Sequence, residues 1–88
     1  MSVSVPTTVS VRALLFASYA EVVGRGTVAL TLSAPATVRS ALRELRSLPG
    51  GQRLPERPLV AVNQIHASLD TPLSANDELA ILPPLSGG

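Results

Sequence analysis

The feature that most limits the fold is one amphipathic helix with strand patterns on both sides of it. In residues 37–48, apolar side chains recur every three or four positions and form a single stripe. Thr37 is placed to cap the start of this helix, and Pro49-Gly50-Gly51 stops it. A chain of 88 residues can build only one core, so we expect the helix to cover one face of a sheet. The stripe consists of Val38, Ala41, Leu42, Leu45 and Leu48.

Short segments before and after the helix have the alternation or β-branched composition of strands. Between the first two, residues 17–23 favour a short helix that Gly24 ends. After the third, residues 64–67 predict a turn and residues 68–73 a short extended piece. Asn76 favours a second turn, because Asn tolerates a left-handed backbone. The predicted strands are residues 9–16, 27–32, 59–63 and 78–82.

This order of elements predicts an α+β fold of the β-grasp, or ubiquitin-like, type. We expect a mixed sheet of about five strands, covered on one face by one long helix, with a second short helix. A ferredoxin-like fold would need another substantial helix in the latter half, where Pro58 and Pro72 leave no room for it. The predicted core-facing residues are Val11, Val28, Leu30, Val38, Leu42, Leu45, Val62, Leu79 and Ile81.

Composition excludes several classes of function. Seven arginines, no lysine and six acidic residues give a net charge of +1. The chain therefore lacks the excess of positive charge with which proteins bind the phosphates of nucleic acids. No apolar run is long enough to cross a membrane, and no signal peptide is visible, so we expect a cytoplasmic protein. The chain has no Cys and a single His, His66, so we expect neither a metal site nor a catalytic Cys–His pair, and we interpret His66 as an ordinary surface or turn residue.

Two groups of side chains lie outside the predicted core. We interpret Arg39, Arg43, Glu44 and Arg46 as a solvated face of the helix. The second group would lie on the other face of the sheet. It either closes a small apolar cluster within the domain or forms a docking patch with Pro84 and Leu85. Its members are Leu14, Phe16 and Leu82.

The C-terminal segment is the one with distinctive chemistry. Pro83 and Pro84 cannot continue a strand, and Ser86, Gly87 and Gly88 are small enough to thread a narrow channel. We therefore predict a lead-in at 1–8, a β-grasp domain at 9–82 and an extended tail at 83–88. A carboxylate on Gly88 would be unhindered, since glycine has no Cβ. The expected threading residues are Pro83, Pro84, Leu85, Ser86 and Gly87.

Residues 9–88 resemble the small subunit of molybdopterin synthase, the MoaD family. The most specific match is the tail, Pro83-Pro84-x-Ser86-Gly87-Gly88. Two departures are Asn76, where the family usually has Gly, and Ala20, where it often has Arg. The other matches are Leu15-Phe16-Ala17, Glu21, Gly24, Thr37-Val38, Val62-Asn63-Gln64, Asp70, Pro72-Leu73 and Asp77-Glu78.

The resemblance implies a sulfur carrier in molybdenum cofactor biosynthesis. An E1-like adenylating enzyme would activate Gly88 with ATP, and a sulfur donor would convert it to a thiocarboxylate. The tail would then deliver sulfur to cyclic pyranopterin monophosphate in the large subunit, within a heterotetramer of two small and two large subunits. The catalytic side chains would belong to the large subunit, so this chain would be an enzyme component only as the carrier, with no bound cofactor. Phe16, Leu82 and Leu85 are the residues expected to contact the partner.

Other functions remain open at the level of sequence. A carrier of the ThiS type for thiazole synthesis is usually shorter and lacks the Pro-Pro-x-Ser before Gly-Gly. A carrier for cysteine synthesis, a ubiquitin-like modifier of protein lysines and a β-grasp interaction domain with an inert tail are the further alternatives. A thiocarboxylate on the tail would separate the sulfur carriers from an inert interaction domain, and co-purification with a molybdopterin synthase large subunit would separate the molybdopterin carrier from the other carriers.

Overall fold

The computed structural model describes residues 7–84. These residues form seven strands, two α-helices and a 3₁₀ turn at Gly51–Arg53. Both α-helices are too short and too polar to cross a membrane in this part of the chain. The helices are α1 (Ala17–Val23) and α2 (Val38–Arg46), and the strands are β1 (Thr8–Leu15), β2 (Thr27–Ser33), β3 (Ala36–Thr37), β4 (Leu59–Val62), β5 (Ile65–Ala67), β6 (Pro72–Leu73) and β7 (Glu78–Leu82).

Five of the strands form one mixed sheet in the order β2-β1-β7-β4-β5. The first strand and the last strand are central neighbours and run parallel, with Leu15 opposite Ile81. The other pairs are antiparallel. A two-residue ladder of β3 with β6 lies outside this sheet. The sheet and the two helices confirm the predicted β-grasp architecture.

Helix α2 packs its apolar stripe on one face of the sheet, as its periodicity predicts. Thr37 caps it, because its Oγ1 accepts from the Ser40 amide at 3.3 Å while Ser40 Oγ accepts from the Thr37 amide at 2.9 Å. The helix ends at Arg46, two residues before the predicted end, because Ser47 is already its C-terminal cap. Of the predicted core residues, only Val62 is half-buried rather than buried.

The predicted turn at 64–67 is wrong, because residues 65–67 form strand β5. The reversal takes only two residues, Asn63 and Gln64, whose φ angles are 50° and 70°. A two-residue turn with both φ angles positive matches the twist of an antiparallel hairpin. The usual sequence signal for this turn is Asn-Gly, and Gln64 in the second position hid it. The predicted turn at Asn76 is confirmed, with φ at 69°.

The Asn63 side chain ties the β4–β5 hairpin to the start of β7. Its Nδ2 donates to Asp77 Oδ1 at 2.9 Å, and its Oδ1 accepts from the Glu78 amide at 3.0 Å. Asp77 in turn accepts from the Ser74 amide through Oδ2 at 2.8 Å. The motif residues Asn63, Asp77 and Glu78 therefore have a structural role in this fold.

Replacing Asn63 with Ala should lower the free energy of unfolding by about 2 kcal/mol. Two exposed hydrogen bonds are lost, at about 0.5 kcal/mol each, and the left-handed backbone costs Ala about 1 kcal/mol. Asn63→Gly is the matched variant, since it loses the same hydrogen bonds but accepts the positive φ. Urea denaturation followed by circular dichroism should place Asn63→Gly between the wild type and Asn63→Ala. Equal midpoints for all three proteins would contradict the structural role.

The segment between α2 and β4, to which the sequence assigned no role, packs tightly against both helices. Leu54 is 1% exposed and belongs to the core. Its carbonyl accepts from Arg46 Nε at 3.0 Å. Gly50 has φ at 84° and lies against the backbone of α1, and the buried Gly51 lies against the backbone of α2. The segment is thus held in place before it reaches Pro55 and the start of β4.

Candidate functional site

The candidate site is the end of the sheet from which the C-terminal segment departs. Strand β7 ends at Leu82, Pro83 is half-buried and Pro84 is exposed. The predicted residues Leu85, Ser86, Gly87 and Gly88 lie outside the described residues. The proposed lead-in at 1–8 also lies mostly outside them, although Thr8 already pairs with Ser33 as the first residue of β1. The predicted domain boundaries therefore stay predictions.

Three apolar residues occupy neighbouring positions at this end of the adjacent strands β1, β7 and β4. Leu59 lies opposite Leu82 in the β4–β7 pair. Leu15 and Ile81 are partners in the parallel β1–β7 pair. Phe16 and Leu82 are the next residues after them, so they occupy neighbouring positions. Phe16 and Leu59 are 43% and 44% exposed, whereas Leu82 is half-buried. We call Phe16, Leu59 and Leu82 the apolar row.

A groove of about 160 Å³ runs beside the apolar row at the base of the C-terminal segment. Leu59 and Tyr19 belong to it, and the sequence interpretation named neither as a contact residue. The alternation in Leu59–Val62 could have revealed Leu59, since Val60 faces the core and Leu59 must then face away. No comparable pattern in the sequence identifies Tyr19, which lies on helix α1. The groove is lined by Tyr19, Pro55, Arg57, Pro58, Leu59, Leu82 and Pro84.

The open face becomes polar away from this end. Arg12 Nη2 and Glu78 Oε2 form an ion pair at 3.1 Å across β1 and β7. Leu14, the third residue predicted for this face, is half-buried and lies between the ion pair and the apolar row. His66 is exposed on the edge strand, opposite Ala61. The predicted docking patch is thus concentrated at the end where the C-terminal segment leaves.

The described residues hold little that could carry out chemistry by themselves. Within 7–84, no polar or charged side chain is buried, and no three His, Asp or Glu side chains gather as a metal ion would require. The site offers apolar contact area and one guanidinium group at Arg57. Two prolines, Pro83 and Pro84, follow strand β7 there and restrict the backbone. Such an arrangement can bind a partner protein at the point where strand β7 ends.

Comparisons with known proteins agree with this fold and cover the C-terminal segment. The model of the ThiS family matches residues 13–88. The molybdopterin synthase sulfur carrier subunit of Dictyostelium discoideum is 38% identical over 79 residues, which cover 85% of this chain and 92% of that protein. This relative confirms the resemblance that the sequence motifs indicated.

Among solved structures, small archaeal modifier protein 1 from Haloferax volcanii is 31% identical with a TM-score of 0.79. The match covers 88% of this chain and 99% of that one. A protein–protein complex of subunits 1 and 2 of molybdopterin-converting factor from Helicobacter pylori contains a chain with the same fold. Its TM-score is 0.65 at 21% identity, over 90% of this chain and 99% of that one. From the extent of the family match and the identity to the Dictyostelium protein, this chain is a member of the ThiS family.

Proposed function

We propose that this protein is the sulfur carrier subunit of a molybdopterin synthase. The observation that carries the proposal is the 38% identity to a protein of that name over 92% of its length. The site supports it, because the chain leaves the sheet beside an apolar row and a groove that a partner could cover. The shortage of catalytic side chains within 7–84 also agrees with a carrier whose reactive group lies in the tail.

The reactive group in this proposal is the carboxylate of Gly88. One carboxylate oxygen attacks the α-phosphorus of ATP on an adenylating enzyme, which gives an acyl adenylate and releases pyrophosphate. A sulfur nucleophile from a donor then attacks the acyl carbon, and AMP leaves. Glycine suits both steps, since no Cβ hinders either attack. The thiocarboxylate sulfur then bonds to a carbon of cyclic pyranopterin monophosphate in the active site of the large subunit, and water cleaves the acyl carbon–sulfur bond, which returns Gly88 to a carboxylate.

Loading with sulfur is the test of this function. The protein is incubated with the adenylating enzyme, ATP and a sulfur donor, and its intact mass is measured. We expect a gain equal to the exchange of one oxygen for one sulfur. Oxidation of Met1 gives almost the same gain, so the product is also treated with iodoacetamide. Because the chain has no cysteine, a thiocarboxylate is its only thiol-type nucleophile, and one alkyl group should be added. An unlabelled product, under conditions that load a known carrier, would contradict the proposal.

The large subunit is the partner to which the carrier would deliver its sulfur. The Helicobacter pylori complex of subunits 1 and 2 supports this choice of partner, although its similarity extends only to the fold. We propose that the apolar row and the groove beside it form the contact surface. Leu85 would continue this surface into the tail.

Replacing Phe16 with Asp should weaken binding of the large subunit by about tenfold to a hundredfold, because a charge would be buried in an apolar contact. Ile65→Asp is the matched control. Ile65 is 71% exposed and lies at the opposite end of β4, beside Val62 rather than Leu59. Calorimetric titration should show wild-type affinity for Ile65→Asp. Equal affinities for both variants would exclude Phe16 from the interface.

A second function is favoured by the 31% identity to small archaeal modifier protein 1. In that case the activated Gly88 would be transferred to lysine side chains of other proteins. The chain itself has no lysine that could capture its own activated tail. Digestion with a protease that cuts after Glu would leave residues 79–88 on a modified lysine. Detection of that adduct in cells, without a thiocarboxylate form, would favour the modifier over the carrier.

A further inference from the structure

A second groove, on the side of the sheet that α2 covers, is lined by four arginines from two separate segments. It has a volume of about 520 Å³. Arg39, Arg43 and Arg46 follow one another along α2 at intervals of four and three residues, so they share one helix face. Arg57 joins them from the segment before β4. Glu56 and Leu69 are among the other lining residues. We call this the arginine groove.

The arginine groove concentrates the positive charge of the molecule. Its four arginines and Glu56 carry a net charge of +3, whereas the whole chain carries +1, so all other residues together carry −2. The sequence interpretation of Arg39, Arg43 and Arg46 as a solvated face is correct about their position on the helix. It does not account for Arg57, which is eleven positions beyond Arg46 and completes the cluster.

The existing ion pairs leave the arginine groove able to accept further carboxylates. Arg39 pairs with Asp70 at 3.0 Å and Arg46 with Glu56 at 3.8 Å, and both acidic side chains are more than four-fifths exposed. Exposed pairs of this kind contribute little stability, so a partner's carboxylate can replace them. Within residues 7–84, Arg43 and Arg57 form no ion pair. The Leu54 carbonyl fixes Arg46 in place through Nε.

The groove is better suited to an acidic peptide than to a phosphate group. Compact phosphate sites combine basic side chains with unused backbone amides at a helix start. Here the first amides of α2 are already bound, since Val38 donates to Thr71 O, Arg39 to Leu69 O and Ser40 to Thr37 Oγ1. What remains are guanidinium groups spread over roughly 10 Å of helix. An extended peptide of about four residues covers that length, and guanidinium groups bind carboxylates in a bidentate way.

Arg57 also lines the groove at the base of the C-terminal segment. The two grooves therefore share this residue, and a partner that contacts Arg57 at Pro84 is adjacent to the arginine groove. We propose that the arginine groove binds an extended, carboxylate-rich segment of the adenylating enzyme that activates the tail. The identity of that enzyme rests on the proposed function, whereas the peptide chemistry rests on the groove alone.

The groove is tested first with a peptide, independently of sulfur transfer. Isotope-labelled protein is titrated with an extended peptide that carries Glu at alternate positions, and with its Gln counterpart. We expect saturable shifts of the α2 amides and the arginine side chains, and affinity at least about tenfold lower for the Gln peptide. The double variant Arg39→Glu with Arg43→Glu should lose binding. The control variant Arg25→Glu with Arg53→Glu, which reverses the same number of charges at exposed arginines outside the groove, should retain it.

Several outcomes would overturn the proposal. Equal binding of the Gln peptide would show that carboxylates are not recognised. Equal losses in the Arg25–Arg53 control and in the double variant within the groove would show an effect of net charge alone. Tighter binding of inorganic triphosphate or of RNA than of the Glu peptide would assign the groove to phosphates. Arg43→Lys keeps the charge but not the bidentate geometry, so we expect it to retain part of the affinity.

A second measurement links the groove to the partner. ATP–pyrophosphate exchange by the adenylating enzyme is measured at varied concentrations of the carrier. The double variant should raise KM for the carrier about tenfold and leave kcat unchanged, because its tail is intact. If the wild-type chain supports no exchange, the proposed function fails and the peptide titration still decides the groove. If the wild type is active and the KM of the double variant is unchanged, the groove proposal fails.

Discussion

Deletion of Gly88 should abolish sulfur loading while the fold stays intact. The deletion moves the terminal carboxylate back by roughly 3.5 Å. Misplacement of a reacting group by only about 1 Å can cost about a hundredfold in rate, so we expect at least that loss. The amount of iodoacetamide-labelled chain after incubation with the adenylating enzyme, ATP and sulfur donor measures the effect. Thermal unfolding should be unchanged, because the last strand of the sheet ends at Leu82, six residues before Gly88.

Two further variants make this test specific. Adding one residue after Gly88 should cause the same loss, since the Gly88 carboxyl group then lies in a peptide bond. Removal of residues 2–6 is the matched control, because it shortens the chain at the end remote from the reactive group. A truncated protein without Gly88 that is alkylated as fully as the wild type would contradict the terminal-carboxylate mechanism.

Replacement of Gly50 with Ala should destabilise the fold by about 3 kcal/mol or more, a large part of the ~4–13 kcal/mol expected for a domain of this size. A Cβ at this position would lie 1.8 Å from the Val22 carbonyl oxygen, and φ is 84°. Both the backbone of α1 and the turn would have to move. Gly51→Ala should have a comparable effect, since its Cβ would lie 1.9 Å from the Leu45 carbonyl oxygen. Urea denaturation followed by circular dichroism measures both.

Two other glycines distinguish the two causes of destabilisation at Gly50, which are the close contact of the added Cβ and the positive φ. Gly24 has a φ of 87° but open space around it, so Gly24→Ala should cost only about 1–2 kcal/mol. Gly26 has neither a positive φ nor an atom closer than 3.8 Å, and Gly26→Ala should change stability by less than about 1 kcal/mol. Equal losses at Gly24 and Gly50 would show that backbone conformation, not close packing, dominates at Gly50.

The arginine groove illustrates what sequence interpretation could and could not reach. The helical spacing correctly placed three arginines on one exposed face, because that spacing depends only on the geometry of α2. The contribution of Arg57 depends on how the segment after Gly50 and Gly51 packs on both helices. The position of this segment is set by close contacts between its backbone and the backbones of the two helices. Such contacts leave no periodic pattern in the sequence, so they could not be predicted from it.

The sequence by itself determined the elements whose signals are local. These include the stripe and cap of α2, the end of α1 at Gly24 and the left-handed turn at Asn76, since periodicity, capping and φ preferences act over a few neighbouring residues. Only the tertiary structure decided the β3–β6 ladder and the alignment of Phe16, Leu59 and Leu82 at neighbouring strand ends. These depend on pairing between residues far apart in the chain, where stability comes from the partner strand and not from local propensity. Strand β5 pairs with the nearby β4, and it was missed because Gln64 does not give the usual signal of a two-residue turn.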